Sequence, residues 1–115
     1  MKSLVTDAER GELLRNGRAR LTDAAIDPWP VVRLFTPDAH AIWLLAALDP
    51  GDGDTAWGVC DLGIGLPALG EVRLSDLAAI RGPRARPVQR DGYFRPARPL
   101  SQYLDLAQRN GSLVD

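Results

Sequence analysis

The pattern of apolar and polar positions predicts strands in the middle of the chain. Four stretches are rich in β-branched, aromatic and aliphatic side chains, as strands are: residues 31–35, 40–48, 55–62 and 71–74. The connections at 36–38 and 49–54 consist of turn-forming residues and are too short for parallel crossovers. Residues 88–94 follow as an edge strand, because Arg and Pro guard a sheet edge. We therefore expect an antiparallel sheet of about four or five strands.

Helix signals stand before and after the predicted strands. Thr6 and Glu9 have the spacing of a capping box, and Asn16-Gly17 offers a left-handed stop after the first helix. Ser75 is the expected cap of a short second helix. The predicted helices cover residues 7–15, 76–80 and 100–109. Because the strands are grouped rather than alternating with long helices, we predict an α+β fold with N-terminal and C-terminal helices packed on one face of the sheet.

Length and composition predict one domain over residues 1–115. Of the 115 residues, 45% are hydrophobic and 25% are charged, which is typical of a globular protein with its own core. The N-terminus has no signal-peptide pattern, and the longest apolar run, 41–48, is too short to span a bilayer. Cys60 is the single cysteine, so it forms neither an intrachain disulfide nor a cysteine-based metal cage. We expect a cytoplasmic protein without a cofactor or a membrane partner.

Charge is segregated along the chain although the net charge is only -1. Residues 34–70, the acidic block, contain five acids and no Lys or Arg: Asp38, Asp49, Asp52, Asp54 and Asp61. Residues 81–98, the arginine segment, contain one acid and six arginines: Arg81, Arg84, Arg86, Arg90, Arg95 and Arg98. The charge of the whole chain is untypical of a protein that coats nucleic acid, because such proteins carry a clear positive excess.

The arginine segment admits three interpretations, because it also contains Tyr93 and Phe94. Arginines interleaved with aromatic rings suit phosphate contact together with base stacking. They equally suit docking on an acidic protein surface, or ion pairing with the acidic block of the same chain. The residues predicted to bind nucleic acid or a protein partner are Arg81, Arg84, Arg86, Arg90, Tyr93 and Arg95.

Asp38, His40 and Asp61 are the candidate catalytic residues. Asp38 and His40 lie two positions apart, so on a strand their side chains share one face. A carboxylate beside the only histidine of the chain can orient a general base or hold a metal. The alternative is a turn carboxylate that caps its own backbone next to a surface histidine.

The other motifs indicate structure rather than chemistry. Asp49, Asp52 and Asp54 lack the spacing of a calcium loop, so we predict a turn that also offers an acidic, partner-facing surface, without a metal. The Gly-x-Gly-x-x-Ala sequence at 63–68 is not followed by room for a helix, as a dinucleotide site requires. Cys60 lies in an apolar strand and is expected to be a structural residue.

Five stretches of the chain are similar to those of a known family: 34–38 (LFTPD), 57–63 (WGVCDLG), 74–77 (LSDL), 81–83 (RGP) and 90–94 (RDGYF). Over residues 13–104 the chain resembles the domain of unknown function 2958 family of small bacterial proteins. The resemblance implies a gene carried on plasmids and integrated mobile elements. It implies no reaction.

These observations lead to two hypotheses from different classes. The first is an accessory protein of a mobile element that binds a protein, such as a host defence or DNA-processing machine, as a modulator or inhibitor. The second is a single-stranded nucleic-acid-binding protein, with metal-dependent cleavage at the candidate catalytic residues as an extension. An enzyme is disfavoured, because the chain has no nucleophile elbow, zinc spacing or phosphate loop. The sequence leaves the oligomeric state open.

Overall fold

The structure is a computed structural model that describes residues 3–113. Within these residues it has three helices, α1 (Asp7–Thr22), α2 (Leu74–Ala79) and α3 (Leu100–Asn110). It has five strands, β1 (Val32–Phe35), β2 (Ile42–Leu48), β3 (Thr55–Asp61), β4 (Ala68–Arg73) and β5 (Gln89–Arg90). Within residues 3–113, no helix combines the length and the hydrophobicity needed to cross a membrane.

The five strands form one antiparallel sheet in the order β4-β3-β2-β1-β5. The first four strands follow one another as a meander, and β5 returns to the far edge beside β1. The predicted α+β fold is therefore confirmed. The edge strand β5 is shorter than predicted, because Asp91 turns the chain by accepting a hydrogen bond from the Tyr93 amide, with 2.9 Å between the atoms.

The helices cover both faces of the sheet, so the prediction of one covered face is wrong. Leu13 of α1 and Leu77 of α2 belong to one buried cluster, whereas Tyr103 of α3 belongs to a second. The central strand β2 explains why both faces are covered. Consecutive residues such as Leu44 and Leu45 point to opposite faces of the sheet, and both are fully buried. A strand that is apolar at every position needs cover on both sides.

Helix α1 passes through the predicted stop at Asn16-Gly17 and ends at Thr22. Gly17 is buried against β2, and a Cβ atom there would overlap the carbonyl oxygen of Leu48. Asn16 donates from Nδ2 to the carbonyl oxygen of Ala46, at 2.8 Å, where β2 shifts its register against β3. Gly17 is therefore needed for the close approach of α1 to β2, and it does not form a left-handed helix cap.

Helix α2 is capped from outside its own segment, which corrects the predicted role of Ser75. The helix begins at Leu74, and Ser75 donates from its amide and hydroxyl to the Asp54 carboxylate, at 3.0 and 2.6 Å. Asp54 lies in the connection between β2 and β3. A carboxylate that accepts from the first helical amides stabilises a helix start, so Asp54 joins this connection to α2.

Gly17→Ala is expected to lower the free energy of unfolding by about 3 kcal/mol, because helix and strand must separate to admit the methyl group. Gly11→Ala is the matched control in the same helix. Apart from the adjacent residues and the backbone of the helix itself, no atom of residues 3–113 lies within 4 Å of a Cβ at Gly11, so this variant should gain ~0.5–1 kcal/mol from helix propensity. Urea denaturation followed by circular dichroism measures both, and a harmless Gly17→Ala would contradict the packing described.

Candidate functional site

The arginine loop, residues 81–87, is a closed turn between α2 and β5. Its two ends meet in a single β-bridge between Arg81 and Pro87. Inside the bridge, the Gly82 amide donates to the Arg86 carbonyl oxygen at 3.0 Å. Backbone contacts of this kind fix the path of the loop and the positions from which its side chains project.

Asp38 holds the arginine loop from the turn between β1 and β2. Its Oδ2 atom accepts from the Arg84 amide at 2.8 Å and from the Arg86 amide at 3.4 Å. Its Oδ1 atom lies so close to Gly82 that a Cβ on that residue would overlap it. The Asp38 carboxylate therefore accepts from backbone amides of a loop that is distant in sequence. The sequence had instead suggested, as the alternative to a catalytic role, that this carboxylate caps the backbone of its own turn.

The three arginines of the arginine loop are all exposed, but only Arg81 has its guanidinium group bound within the fold. Arg81 donates from Nη1 to the carbonyl oxygens of Ala78 and Ile80, at 3.0 and 2.8 Å, at the end of α2. The side chains of Arg84 and Arg86 are exposed and form no hydrogen bond or ion pair with any described residue. Asp38 therefore binds the backbone of these two arginines and leaves their charges directed to solvent.

Arg90 is bound within the fold. Its Nε atom lies 2.8 and 2.9 Å from the two carboxylate oxygens of Glu9, the residue that closes the capping box of α1. Burial raises the pKa of Glu9, but the hydrogen bonds from Arg90 and from the Thr6 amide outweigh it and hold the pKa below its usual 4.5. This pair joins α1 to the β5 edge, so Arg90 contributes to structure.

The remaining residues of the arginine segment are divided between the fold and the solvent. Arg95 donates to the neighbouring Phe94 carbonyl oxygen at 2.9 Å, and the Arg98 guanidinium lies 5.5 Å from the centre of the Tyr103 ring. Tyr93, in contrast, is 94% exposed. Within residues 3–113, no ion pair joins the arginine segment to the acidic block.

The carboxylates at 49–54 hold their own connection together. Asp52 accepts from the side chain and amide of Thr55 and from the Asp54 amide, and these bonds lower its pKa to about 2. Asp49 accepts from the Gly51 amide at 2.8 Å. The predicted turn therefore forms with its acids as turn-stabilising groups, and Asp54 caps α2 as described above.

His40 and Asp61 border one cleft of about 450 Å³, and Asp38 does not line it. Asp61 is 2% exposed, and its two oxygens accept from the Gly63 amide at 2.9 Å and from the Leu113 amide at 2.7 Å. The Asp61 carboxylate therefore ties the segment after α3 to the end of β3. Within residues 3–113, no group of three or more His, Cys, Asp or Glu residues is arranged to hold a metal ion.

The sequence named Asp38 and the arginines but missed the residues that set their positions. Gly82 has no side chain and so leaves space for the Asp38 carboxylate, and Glu9 forms an ion pair with Arg90. The Arg-Gly-Pro stretch at 81–83 was the only signal for the first contact, and nothing local indicates the second.

Burial raises the pKa of the Cys60 thiol, which agrees with its predicted structural role.

Comparison with protein-family models identifies a family that this chain matches. Residues 4–114 match the family model described as "Protein of unknown function (DUF2958)". Neither the curated proteins nor the solved structures give a significant match.

Asp61→Asn is expected to lower the free energy of unfolding by ~2 kcal/mol, because an amide cannot accept both backbone hydrogen bonds and places a donor against a buried amide. Amide hydrogen exchange at Gly63 and Leu113 should accelerate with it. Glu12→Gln, at an exposed position of α1, is the matched acid-to-amide control and should leave both measurements unchanged. Unaltered exchange at Leu113 in Asp61→Asn would show that the carboxylate does not hold the segment after α3.

Proposed function

Since the chain belongs to the DUF2958 family, whose description assigns no activity, we propose from its geometry that it is a protein-binding module that docks through the arginine loop. One observation carries the proposal: Asp38 fixes the loop by its backbone while the Arg84 and Arg86 side chains stay exposed and unpaired among residues 3–113. The partner surface is acidic, because it must supply carboxylates to two guanidinium groups.

The fixed backbone supports binding in energetic terms. Docking loses less conformational entropy when the loop is already ordered, because only the two side chains must be immobilised. Guanidinium groups bind carboxylates through two parallel hydrogen bonds, which adds directional specificity to the charge attraction. A chain with net charge -1 that directs two unpaired arginines outward has a local surface opposite in sign to its total charge.

The genetic context that the family resemblance implies suggests which partner is relevant. On plasmids and mobile elements, such a module acts as an accessory protein in the cytoplasm. Its partner there is a host defence or DNA-processing protein, which it modulates or inhibits. This part of the proposal rests on the resemblance and not on the geometry of the arginine loop.

The double variant Arg84→Glu/Arg86→Glu is expected to reduce capture of acidic partners at least tenfold, because both guanidinium contacts become repulsive. The measurement is quantitative mass spectrometry of proteins retained from nuclease-treated extract of cells that carry the gene. Arg15→Glu/Arg18→Glu is the control, with the same charge change at exposed positions of α1. Proteins retained equally by both double variants, or no retention above background by the natural chain, would overturn the proposal.

The second candidate function, binding of single-stranded nucleic acid, is favoured by the 94% exposure of Tyr93. A free aromatic ring on the same segment as two unpaired arginines offers base stacking and phosphate contact. The cleavage extension lacks such support, because the Asp61 oxygens are occupied by backbone amides and Asp38 lies outside the cleft beside His40.

If this second function holds, Tyr93→Ala should weaken binding of a fluorescent single-stranded oligonucleotide about tenfold, because base stacking on an aromatic ring contributes ~1–3 kcal/mol. Arg84→Ala/Arg86→Ala should in addition reduce the dependence of affinity on salt, because two phosphate contacts are lost. Fluorescence anisotropy over a salt series measures both effects. Binding that is absent, or that ignores both variants and the salt concentration, would remove this candidate.

A further inference from the structure

The outer edge of β4 is open, unlike the other edge of the sheet. β4 has six residues, none of them proline, and its only strand partner within residues 3–113 is β3. The opposite edge strand, β5, has two residues and directly follows Pro87 and Val88. Short edge strands and proline prevent edge pairing, whereas a long edge strand presents a row of amides and carbonyls to another chain.

The hydrogen bonds of the sheet show which residues of β4 present these groups. The Leu74 amide donates to the Asp54 carbonyl oxygen at 2.9 Å, so this pair belongs to the bonded positions of the β3–β4 ladder. Bonded positions alternate along an antiparallel pair, so Val72 and Gly70 also bond to β3. The backbone groups of Leu69, Glu71 and Arg73 therefore point outward, and none of them has a backbone partner outside the strand within residues 3–113.

This alternation limits how two copies of β4 can pair. In an antiparallel pair related by a two-fold axis, outward residues must lie opposite outward residues. One residue of the strand therefore lies opposite its own copy, and the axis, named below by that residue, passes midway between the two. An axis at Glu71 would place that carboxylate opposite its own copy. An axis at Gly70 would place Arg73 opposite Pro67 of the second copy, which has no amide hydrogen.

An axis at Val72 gives complementary charges. Glu71 of each copy then lies opposite Arg73 of the other. Each of these two pairs exchanges two backbone hydrogen bonds, one pair on either side of Val72. We propose that two copies of this chain pair through β4 about an axis at Val72, with Glu71 and Arg73 setting the register. The surface is independent of the arginine loop, so the dimer and the proposed binding function can fail separately.

Charges on an edge strand normally discourage pairing, and here their arrangement makes pairing selective. An axis at Glu71 or at Arg73 would place like charges opposite each other, whereas the self-pair about Val72 satisfies both residues. Leu69, the third outward residue, is 44% exposed, and Leu66 in the preceding connection is 74% exposed. These apolar side chains flank the paired segment and add contact area to a short strand pair.

Charge reversal tests the register directly. Analytical ultracentrifugation of the full chain over a concentration series should show a monomer–dimer equilibrium with twice the mass of 12.5 kDa at the upper end. Glu71→Arg places two arginines opposite each other, and Arg73→Glu places two glutamates opposite each other, in both cases twice per dimer. Each single variant should weaken dimerisation at least tenfold.

Mixing the two single variants is the decisive measurement, because Glu71→Arg and Arg73→Glu are complementary to each other. An equimolar mixture should form a heterodimer at concentrations where each variant alone is monomeric, and the double variant Glu71→Arg/Arg73→Glu should dimerise again. Glu12→Arg, on the exposed surface of α1, is the charge control and should dimerise like the natural chain. A natural chain that stays monomeric, single variants that still dimerise, or a mixture that stays monomeric would overturn the proposal.

Discussion

The contact between α1 and the central strand β2 is the constraint on which the rest of the structure depends. Gly17 lets the helix approach until its backbone meets the Leu48 carbonyl, and Asn16 satisfies the Ala46 carbonyl where the ladder to β3 shifts. Without Asn16 that buried acceptor would lose its hydrogen bond, at a cost of ~1–3 kcal/mol. The same contact sets the helix direction, so its first turn brings Glu9 to Arg90 at the β5 edge.

Aspartates of the acidic block act in the fold as long-range clamps on backbone amides. Asp38 binds the arginine loop, Asp54 binds the start of α2, and Asp61 binds the segment after α3. Carboxylates accept strongly from backbone amides, so each clamp joins two parts of the chain that are distant in sequence. None of these carboxylates forms an ion pair with Arg84 or Arg86 among residues 3–113. In the part of the chain that the structure describes, the acidic block and the arginine segment are therefore not joined by ion pairs, although a net charge of -1 is what such pairing would produce.

The sequence predicted what depends on local pattern and missed what depends on distant contact. The meander, the edge position of the last strand and the capping box follow from periodicity, turn residues and spacing, and all three are present. Gly17 and Ser75 were misassigned, because a buried glycine and a stop glycine are identical in sequence, and the carboxylate that caps α2 comes from another connection. A distant contact also explains why Asp38 does not share a cleft with His40 and Asp61, the other two candidate catalytic residues. The two-residue spacing of Asp38 and His40 does not show that the carboxylate turns to the arginine loop.

The sheet order relates the two proposed surfaces to each other. The arginine loop leads into β5 at one edge of the sheet, and β4 is the other edge, so pairing through β4 leaves the loop uncovered. A two-fold dimer would then carry two arginine loops on its outer sides, at a separation set by the ten strands of a continuous sheet. Two loops on one rigid body bind a partner with two acidic sites more tightly than a single loop, because the second contact forms at high effective concentration. Under this arrangement the β4 edge contributes to affinity without touching the partner, and the spacing of the loops selects partners whose acidic sites are equally far apart.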